Sequence, residues 1–340
     1  MIIRSKAPLR IGLAGGGSDV SPYSDQFGGA ILNATIDLYA YATIEPRSDD
    51  KIVMHSIDKK ERMECKSDLS LEIDGKLDLL KGIYNRIVKD FTQKPLAFTL
   101  TTYVEAPPGS GLGSSSTLVT TIIGAFTEWL KLPLGEYDIA RLAYDIERID
   151  LSQAGGKQDQ YAATFGGVNY MEFYADNKVI VNPLRIRNSI LSEISYNTVL
   201  YFTGTSRDSS QIIARQQNSV THNEAEKIEA MHQIKRQAIL MKEAMLRGTL
   251  DDIGPIFDFG WQNKKRMAQG ISTDRIDEIY HAAIKAGSTG GKVSGAGGGG
   301  FMFFYCPVNT RFPVIEALLK FGGEIKNFNF SKNGLTSWTI

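Results

Sequence analysis

The segment Pro107-Pro108-Gly109-Ser110-Gly111-Leu112-Gly113-Ser114-Ser115-Ser116-Thr117 decides how this chain is read. Before it, Phe98 to Glu105 (FTLTTYVE) has the composition of a β-strand, and the proline pair that follows stops it. After it, Ser114 to Lys131 places Leu118, Ile122, Ile123, Phe126 and Leu130 along one side, which predicts a helix. A strand, a glycine-rich turn and a helix start together make a nest of backbone N–H groups at the positive end of a helix dipole, and that suits an anion. Two familiar phosphate loops do not match it. A P-loop ends in Gly-Lys-Ser/Thr, and no lysine stands here; a dinucleotide fingerprint requires glycine where Ser114 stands. The three serines either cap the helix or offer hydroxyls to a metal or a phosphate.

The glycines repeat this theme outward along the chain. Eighteen of the 33 fall in four clusters: Gly15 to Gly17; Gly109, Gly111 and Gly113; Gly155, Gly156, Gly166 and Gly167; and eight between Gly287 and Gly300. One cluster would be a tight turn, but four between well-patterned segments indicate positive φ angles or close backbone approach. Ile3, Leu9, Ile11 and Leu13 define one face of a first strand and Lys6 and Arg10 the other, and this strand runs into Gly15-Gly16-Gly17-Ser18-Asp19. Further elements are expected as a helix over Gly135 to Ile149, a strand over Val199 to Phe202, and strands at Val293 and Phe301 to Tyr305. The charged, amphipathic stretch 209–248 is expected to form one or two long helices that either cover a C-terminal sheet or pack a homodimer. Asn182-Pro183 and Asn188-Ser189 interrupt the pattern, so the chain divides into residues 1–187 and 188–340. Strands and helices interleave throughout, as in an α/β or α+β protein.

Composition narrows the function. Thirty-eight Lys plus Arg balance 38 Asp plus Glu among 340 residues, so no global basic field collects nucleic acid or anionic lipid. The two cysteines, Cys65 and Cys306, cannot build a disulfide framework or a cysteine-rich zinc site, which fits a reducing cytoplasm. Arg4 and Lys6 stand where a secretory apolar core would begin, and no stretch reaches membrane-spanning length. The expected location is cytoplasmic, with neither nucleic acid nor membrane as partner. The four histidines show no metal-ligand spacing.

The loop at 107–116 resembles the second signature of the GHMP kinases, the superfamily of galactokinase and of homoserine, mevalonate and phosphomevalonate kinases. Ala7-Pro8-Leu9-Arg10-Ile11-Gly12-Leu13-Ala14-Gly15-Gly16-Gly17-Ser18-Asp19 resembles the first, and Lys292-Val293-Ser294-Gly295-Ala296-Gly297-Gly298-Gly299-Gly300-Phe301 the third. Three signatures in order, spread over about 290 residues, are far more specific than any one alone. The resemblance implies an α+β fold of two domains, the N-terminal one like the second domain of ribosomal protein S5 and the C-terminal one ferredoxin-like, with ATP between them. It places Pro108, Gly109, Ser110, Gly111, Leu112, Gly113, Ser114 and Ser115 on the ATP phosphates.

Phosphoryl transfer also needs Mg²⁺ on the phosphates and a group that positions the attacking hydroxyl. Periodicity picks Glu147 and Asp150 equally as a carboxylate looking into a cleft. The resemblance favours Glu147, twelve residues before Asp159, as the Mg²⁺ ligand together with Ser115. It makes Asp159 the residue that orients or deprotonates the acceptor hydroxyl, with Arg10 paired to it. It puts Asp19 on the sugar, with Gly16 and Gly17 replacing a Glu-His pair of galactokinase-like enzymes, and lets Gly297 and Gly298 close over phosphates and substrate. The versions of these motifs, with Gly155-Gly156-Lys157-Gln158-Asp159-Gln160 and Thr203-Gly204-Thr205-Ser206-Arg207-Asp208-Ser209, most resemble the heptose 7-phosphate kinases of the superfamily. The implied partners are ATP and a sugar phosphate. A sugar that already carries a phosphate needs cations at its far end, and Arg207, Ser209 and Lys157 are the expected holders.

Overall fold

The computed structural model describes residues 1–205 and 210–340. Strand β1 (Ile3–Ala14) keeps the expected one-sided burial only over its first half; from Ala7 onward every residue is buried, so it lies in the interior. Its register with β2 (Gly29–Pro46) slips between Pro8 and Arg10. Lys6 and Arg10 meet different partners: Lys6 lies over the Tyr39 ring, and Arg10 donates to the Gly111 carbonyl of the glycine-rich loop.

Strand β2 is long enough to serve as a spine. Its first part pairs with β6 (Val168–Phe173), which β7 (Val179–Pro183) extends, and its second part pairs with β5 (Phe98–Val104). Beyond β5 come a parallel β3 (Lys51–Ser56) and its hairpin partner β4 (Glu61–Lys66). A second sheet, antiparallel throughout, holds β8 (Thr198–Phe202), β9 (Gly290–Val293), β10 (Phe301–Tyr305) and β11 (Glu324–Lys326) in the order β11-β8-β10-β9. That is the strand order of a ferredoxin-like sheet. The helices are α1 (Tyr23–Phe27), α2 (Asp78–Ile87), α3 (Ser114–Leu130), α4 (Glu136–Asp145), α5 (Gln158–Phe165), α6 (Asn188–Asn197), α7 (Ser210–Thr221), α8 (Ala225–Arg247), α9 (Ile253–Met267), α10 (Asp274–Lys285) and α11 (Arg311–Leu319). The stretch expected as one or two helices from 209 to 248 is thus α7 and α8. The helix expected to reach Ile149 ends at Asp145 and continues as a π-helical turn, Ile146–Asp150.

The expected division at 187/188 needs one correction. The last strand, β12 (Thr336–Thr339), pairs with β1, and Phe330 bridges Ile36. Phe328, Phe330 and Leu335 pack into the same apolar cluster as β1 and β2, so the end of the chain belongs with the first sheet. Several elements join the two cores, β10 and α8 among them. Along β10, Phe301, Phe303 and Tyr305 enter the cluster of the first sheet while Met302 and Phe304 enter that of the second. Helix α8 does the same by length, giving Ala230, Met231 and Ile234 to one and Ala238, Met241 and Met245 to the other. With each buried Phe or Met worth about 1.5–3 kcal/mol, the seam between the sheets is continuous apolar core. No helix among the described residues is long and apolar enough to cross a membrane.

Candidate active site

The glycine-rich loop folds as a nest because its glycines take positive φ: Gly109 at 71°, Gly111 at 84° and Gly113 at 78°. At Gly111 the space is also closed, since a Cβ there would stand 2.4 Å from the Ser294 carbonyl oxygen. Gly113 is the N-cap of α3, and no serine side chain caps that helix. The capping explanation for the serine run therefore fails, and two of the three hydroxyls have other partners. Ser115 Oγ donates to Glu147 Oε1 at 3.3 Å, and Ser116 Oγ accepts from Gln160 Nε2 at 3.1 Å. The three glycine motifs meet at one atom, the Gly111 carbonyl oxygen, which accepts from Arg10 Nη1 and from Ser294 Oγ.

Arg10 and Asp159, 149 residues apart, form a bidentate pair: Nε donates to Oδ1 at 2.7 Å and Nη2 to Oδ2 at 2.8 Å. Asp159 sits in the first turn of α5, and Asp19 fixes that helix. Asp19 Oδ2 accepts from the backbone N–H groups of Lys157 at 2.8 Å and Gln158 at 3.1 Å, and its Oδ1 accepts from Gly17 at 3.2 Å. Burial pushes the Asp19 carboxyl above the usual range and the Asp159 charge adds to this, while the backbone donors pull the other way. One carboxylate thus links the first glycine motif to the helix that presents the second.

Glu147 is almost wholly buried, and the π-helical turn carries it inward; Asp150, its rival by periodicity, pairs with Arg86 at 3.1 Å. Besides Ser115, Glu147 accepts from Gln160 Nε2 at 2.5 Å and lies 3.8 Å from Arg148. Ser115 Oγ and Glu147 Oε1 are hard oxygen donors 3.3 Å apart beside the phosphate loop. An octahedral Mg²⁺ with bonds of about 2.1 Å has neighbouring ligands about 3 Å apart, and it commonly takes only one or two protein oxygens plus phosphates and water. The donor set fits that ion.

These groups surround a cavity of about 640 Å³ whose other walls come from α7, α9 and the third motif. Gly16 faces the cavity: a Cβ there would find nothing closer than Lys264 Nζ at 3.9 Å. Lys264, on α9, and Lys292, on β9, are buried cavity residues. Lys264 Nζ donates to the Gly295 carbonyl at 2.5 Å and Lys292 Nζ to the Gly12 carbonyl at 2.8 Å. Burial, with the Arg10 charge beside it, brings the Lys264 ammonium down to about 8 although Asp19 opposes this; burial likewise depresses Lys292, helped by Lys264 and Arg10.

Residues 78–167 match the family model for the GHMP kinases N terminal domain, and residues 241–323 that for the GHMP kinases C terminal. The chain is 51% identical over 338 residues to the D-glycero-alpha-D-manno-heptose 7-phosphate kinase of Campylobacter jejuni subsp. jejuni serotype O:2, covering 99% of each. It belongs to the GHMP kinases. As a GHMP kinase it is a phosphotransferase that uses ATP and an alcohol acceptor. A crystal structure of a D-glycero-D-manno-heptose 1-phosphate kinase from Bacteroides thetaiotaomicron is 47% identical, with a TM-score of 0.85 over 99% of each chain. The L-fucokinase/L-fucose-1-P guanylyltransferase of Bacteroides fragilis is 27% identical over 336 residues, 89% of this chain and 34% of that one.

The cavity of this GHMP kinase gathers most of the residues expected from sequence, and the rest have identifiable reasons for lying elsewhere. Arg10, Gly16, Gly17, Asp19, Gly109, Gly111, Gly113, Ser114, Ser115, Glu147, Asp159 and Gly297 line it. Leu112 is apolar core, Ser110 is buried beneath the loop with its carbonyl held by the Phe301 N–H, and Pro108 lies exposed outside the cavity. Gly298 turns its N–H to the Ile271 carbonyl, and Gly299 lines the cavity in its place. Lys157 is a correction: its ammonium is buried against Asp25 at 2.9 Å, away from the cavity, because its backbone is pinned to Asp19. Arg207 and Ser209 lie outside the described residues. Sequence reasoning missed Gln158, Gln160, Lys264, Lys292 and Ser294 as site residues.

Proposed function

We propose that this GHMP kinase transfers the terminal phosphoryl of ATP to the anomeric hydroxyl of D-glycero-α-D-manno-heptose 7-phosphate, giving the 1,7-bisphosphate for GDP-heptose synthesis. The observation that carries this reading is the 51% identity, end to end, to the Campylobacter jejuni enzyme of that name. The cavity supports it. The N–H groups of the glycine loop and of the first turn of α3 take the ATP phosphates. Ser115 and Glu147 hold Mg²⁺, which when bound neutralises charge on the β- and γ-phosphates. Gln160 positions the Glu147 carboxylate by donating to the oxygen that Ser115 does not touch. Asp159 accepts the proton side of the acceptor hydroxyl and aims its oxygen, with both carboxylate oxygens fixed by Arg10. The absent side chain at Gly16 leaves room for the sugar beside Asp19.

The names of the two near relatives put the acceptor's phosphate at different ends, C7 in one and C1 in the other. ADP release measured with heptose 7-phosphate, heptose 1-phosphate, heptose and L-fucose separates the readings. Turnover of heptose 7-phosphate to a product phosphorylated at C1 is expected, with heptose 1-phosphate inert. Preference for the 1-phosphate, or for fucose, refutes the assignment. Asp159→Asn is expected to lower kcat by about 10³-fold on the favoured acceptor, within the range for loss of a positioned acid–base group.

A further inference from the structure

Four lysines are buried among the described residues: Lys81, Lys157, Lys264 and Lys292. Two have carboxylate partners, Lys81 with Asp74 at 2.5 Å and Lys157 with Asp25 at 2.9 Å. The other two have none within ion-pair distance among the described residues. Their ammonium groups reach only the carbonyls of Gly295 and Gly12, and both line the cavity. An ammonium has three N–H donors, so a single carbonyl leaves capacity that a buried charge is costly to waste. The glycine loop around Gly111 and Gly113 has Arg10 and Asp159 against it on one side, a Cβ at Gly113 touching Asp159 at 3.2 Å and Arg10 at 3.4 Å, and the third motif against it on another, a Cβ at Gly295 falling 2.8 Å from Gly111 Cα. Lys264 stands over Gly16, within electrostatic reach of Arg10 and Asp19, where the acceptor sugar has its room. It belongs to α9, and the Gly295 it donates to packs against Gly111 of the glycine loop. A pair of buried cations without an ion-pair partner among the described residues lines the cavity and lacks an anion.

We infer that Lys264, supported by Lys292 behind it, holds the phosphate monoester already carried by the acceptor sugar. This rests on the heptose-phosphate reading above. It makes Lys264 a specificity-determining residue: a phosphorylated acceptor completes the charge balance of the wall, and an unphosphorylated one leaves it open.

The test compares the native chain with Lys264→Met and Lys264→Arg, using heptose 7-phosphate and heptose without the phosphate, with the KM for ATP as a second comparator. If the native chain does not turn over heptose 7-phosphate, the function itself is refuted and this assignment falls with it. Where it does, Lys264→Met is expected to lower kcat/KM for the phosphorylated sugar about 100-fold, as for truncation of one partner in a buried charged contact. Most of that loss is expected in KM, at least ten times the loss on unphosphorylated heptose or on KM for ATP, and Lys264→Arg is expected to recover part of it. Equal losses on both acceptors would move Lys264 to the transferring phosphoryl or to sugar hydroxyls and overturn the assignment, as would no loss at all.

A second readout needs no variant. In the native chain, kcat/KM for the phosphorylated sugar, divided by that for the unphosphorylated one, is expected to fall as pH rises through about 8, where Lys264 loses its proton. The charged groups facing Lys264 are Arg10 from β1, Asp19 from the turn after it and Lys292 from β9. A ratio that stays flat to pH 9.5 overturns the proposal.

Discussion

Replacing Lys264 by methionine is expected to make the protein more stable at neutral pH, and the gain should vanish in alkali. Burial takes the Lys264 ammonium from the ordinary 10.5 to about 8. At about 1.36 kcal/mol per pH unit, the folded protein bears about 3 kcal/mol for keeping this proton at pH 7. The sign follows from where each state holds the proton. Below about pH 8 both states hold it and the full cost is present. Between about 8 and 10.5 the unfolded chain keeps the proton while the folded one gives it up, so stability rises through that window and the cost is gone above it. Methionine fills nearly the same volume without charge but leaves the Gly295 carbonyl without its donor, a loss of about 1 kcal/mol. The net gain at pH 7 is about 2 kcal/mol. With an unfolding entropy of about 2.1 cal/mol/K per residue, a chain of 340 residues should melt about 3 °C higher. Differential scanning calorimetry of both proteins without ligand, at pH 7 and pH 10, checks this. A variant that melts lower at pH 7, or a gap unchanged at pH 10, would show that Lys264 is not a buried cation kept at a cost.

The metal ligation is tested by Glu147→Gln, which removes the charge that Ser115 and Gln160 surround; the Mg²⁺ concentration giving half-maximal ADP release should rise more than tenfold, and an unchanged midpoint would place the ion elsewhere. The loop's packing is tested by two glycines with similar φ. Gly111→Ala puts a Cβ 2.4 Å from a backbone oxygen and should cost more than 3 kcal/mol in denaturant unfolding, whereas Gly75→Ala, with nothing within 4 Å, should cost about 1 kcal/mol from its φ alone. Equal costs would mean that the third motif does not pack against the phosphate loop.

Elements set by local pattern were legible, and elements set by distant pairing were less so. The strand before Pro107 and the helix after Gly113 lie within two residues of where apolar spacing puts them, because proline, glycine and a one-sided stripe all act at short range. Residues 336–339 (TSWT) carry no apolar alternation, and what holds them is the hydrogen-bonding edge of β1, more than 300 residues away in the chain. The π-helical turn at Ile146–Asp150 escapes periodicity for a related reason: one extra residue per turn rotates Glu147 inward and leaves Asp150 for Arg86.

The lysines show what a sequence motif can and cannot say about a site. Lys157 lies inside a glycine-rich motif next to Asp159, and that neighbourhood makes it look like a ligand. Its backbone, not its ammonium, faces the site, because Asp19 uses the N–H groups of Lys157 and Gln158 to seat α5. Lys264 sits in Lys264-Lys265-Arg266, a charged triplet that looks like the solvated end of a helix. Helical spacing contradicts that impression. Phe257, Trp261, Lys264 and Met267 fall at successive intervals of four, three and three, and all are buried, so Lys264 occupies the core-facing stripe of α9. A charge in that stripe must find a counter-charge or open onto a polar cavity, and here it does the second. The informative signal was the position of the lysine in the helical period rather than its neighbours in the motif, and only the fold shows that this stripe opens onto the cavity.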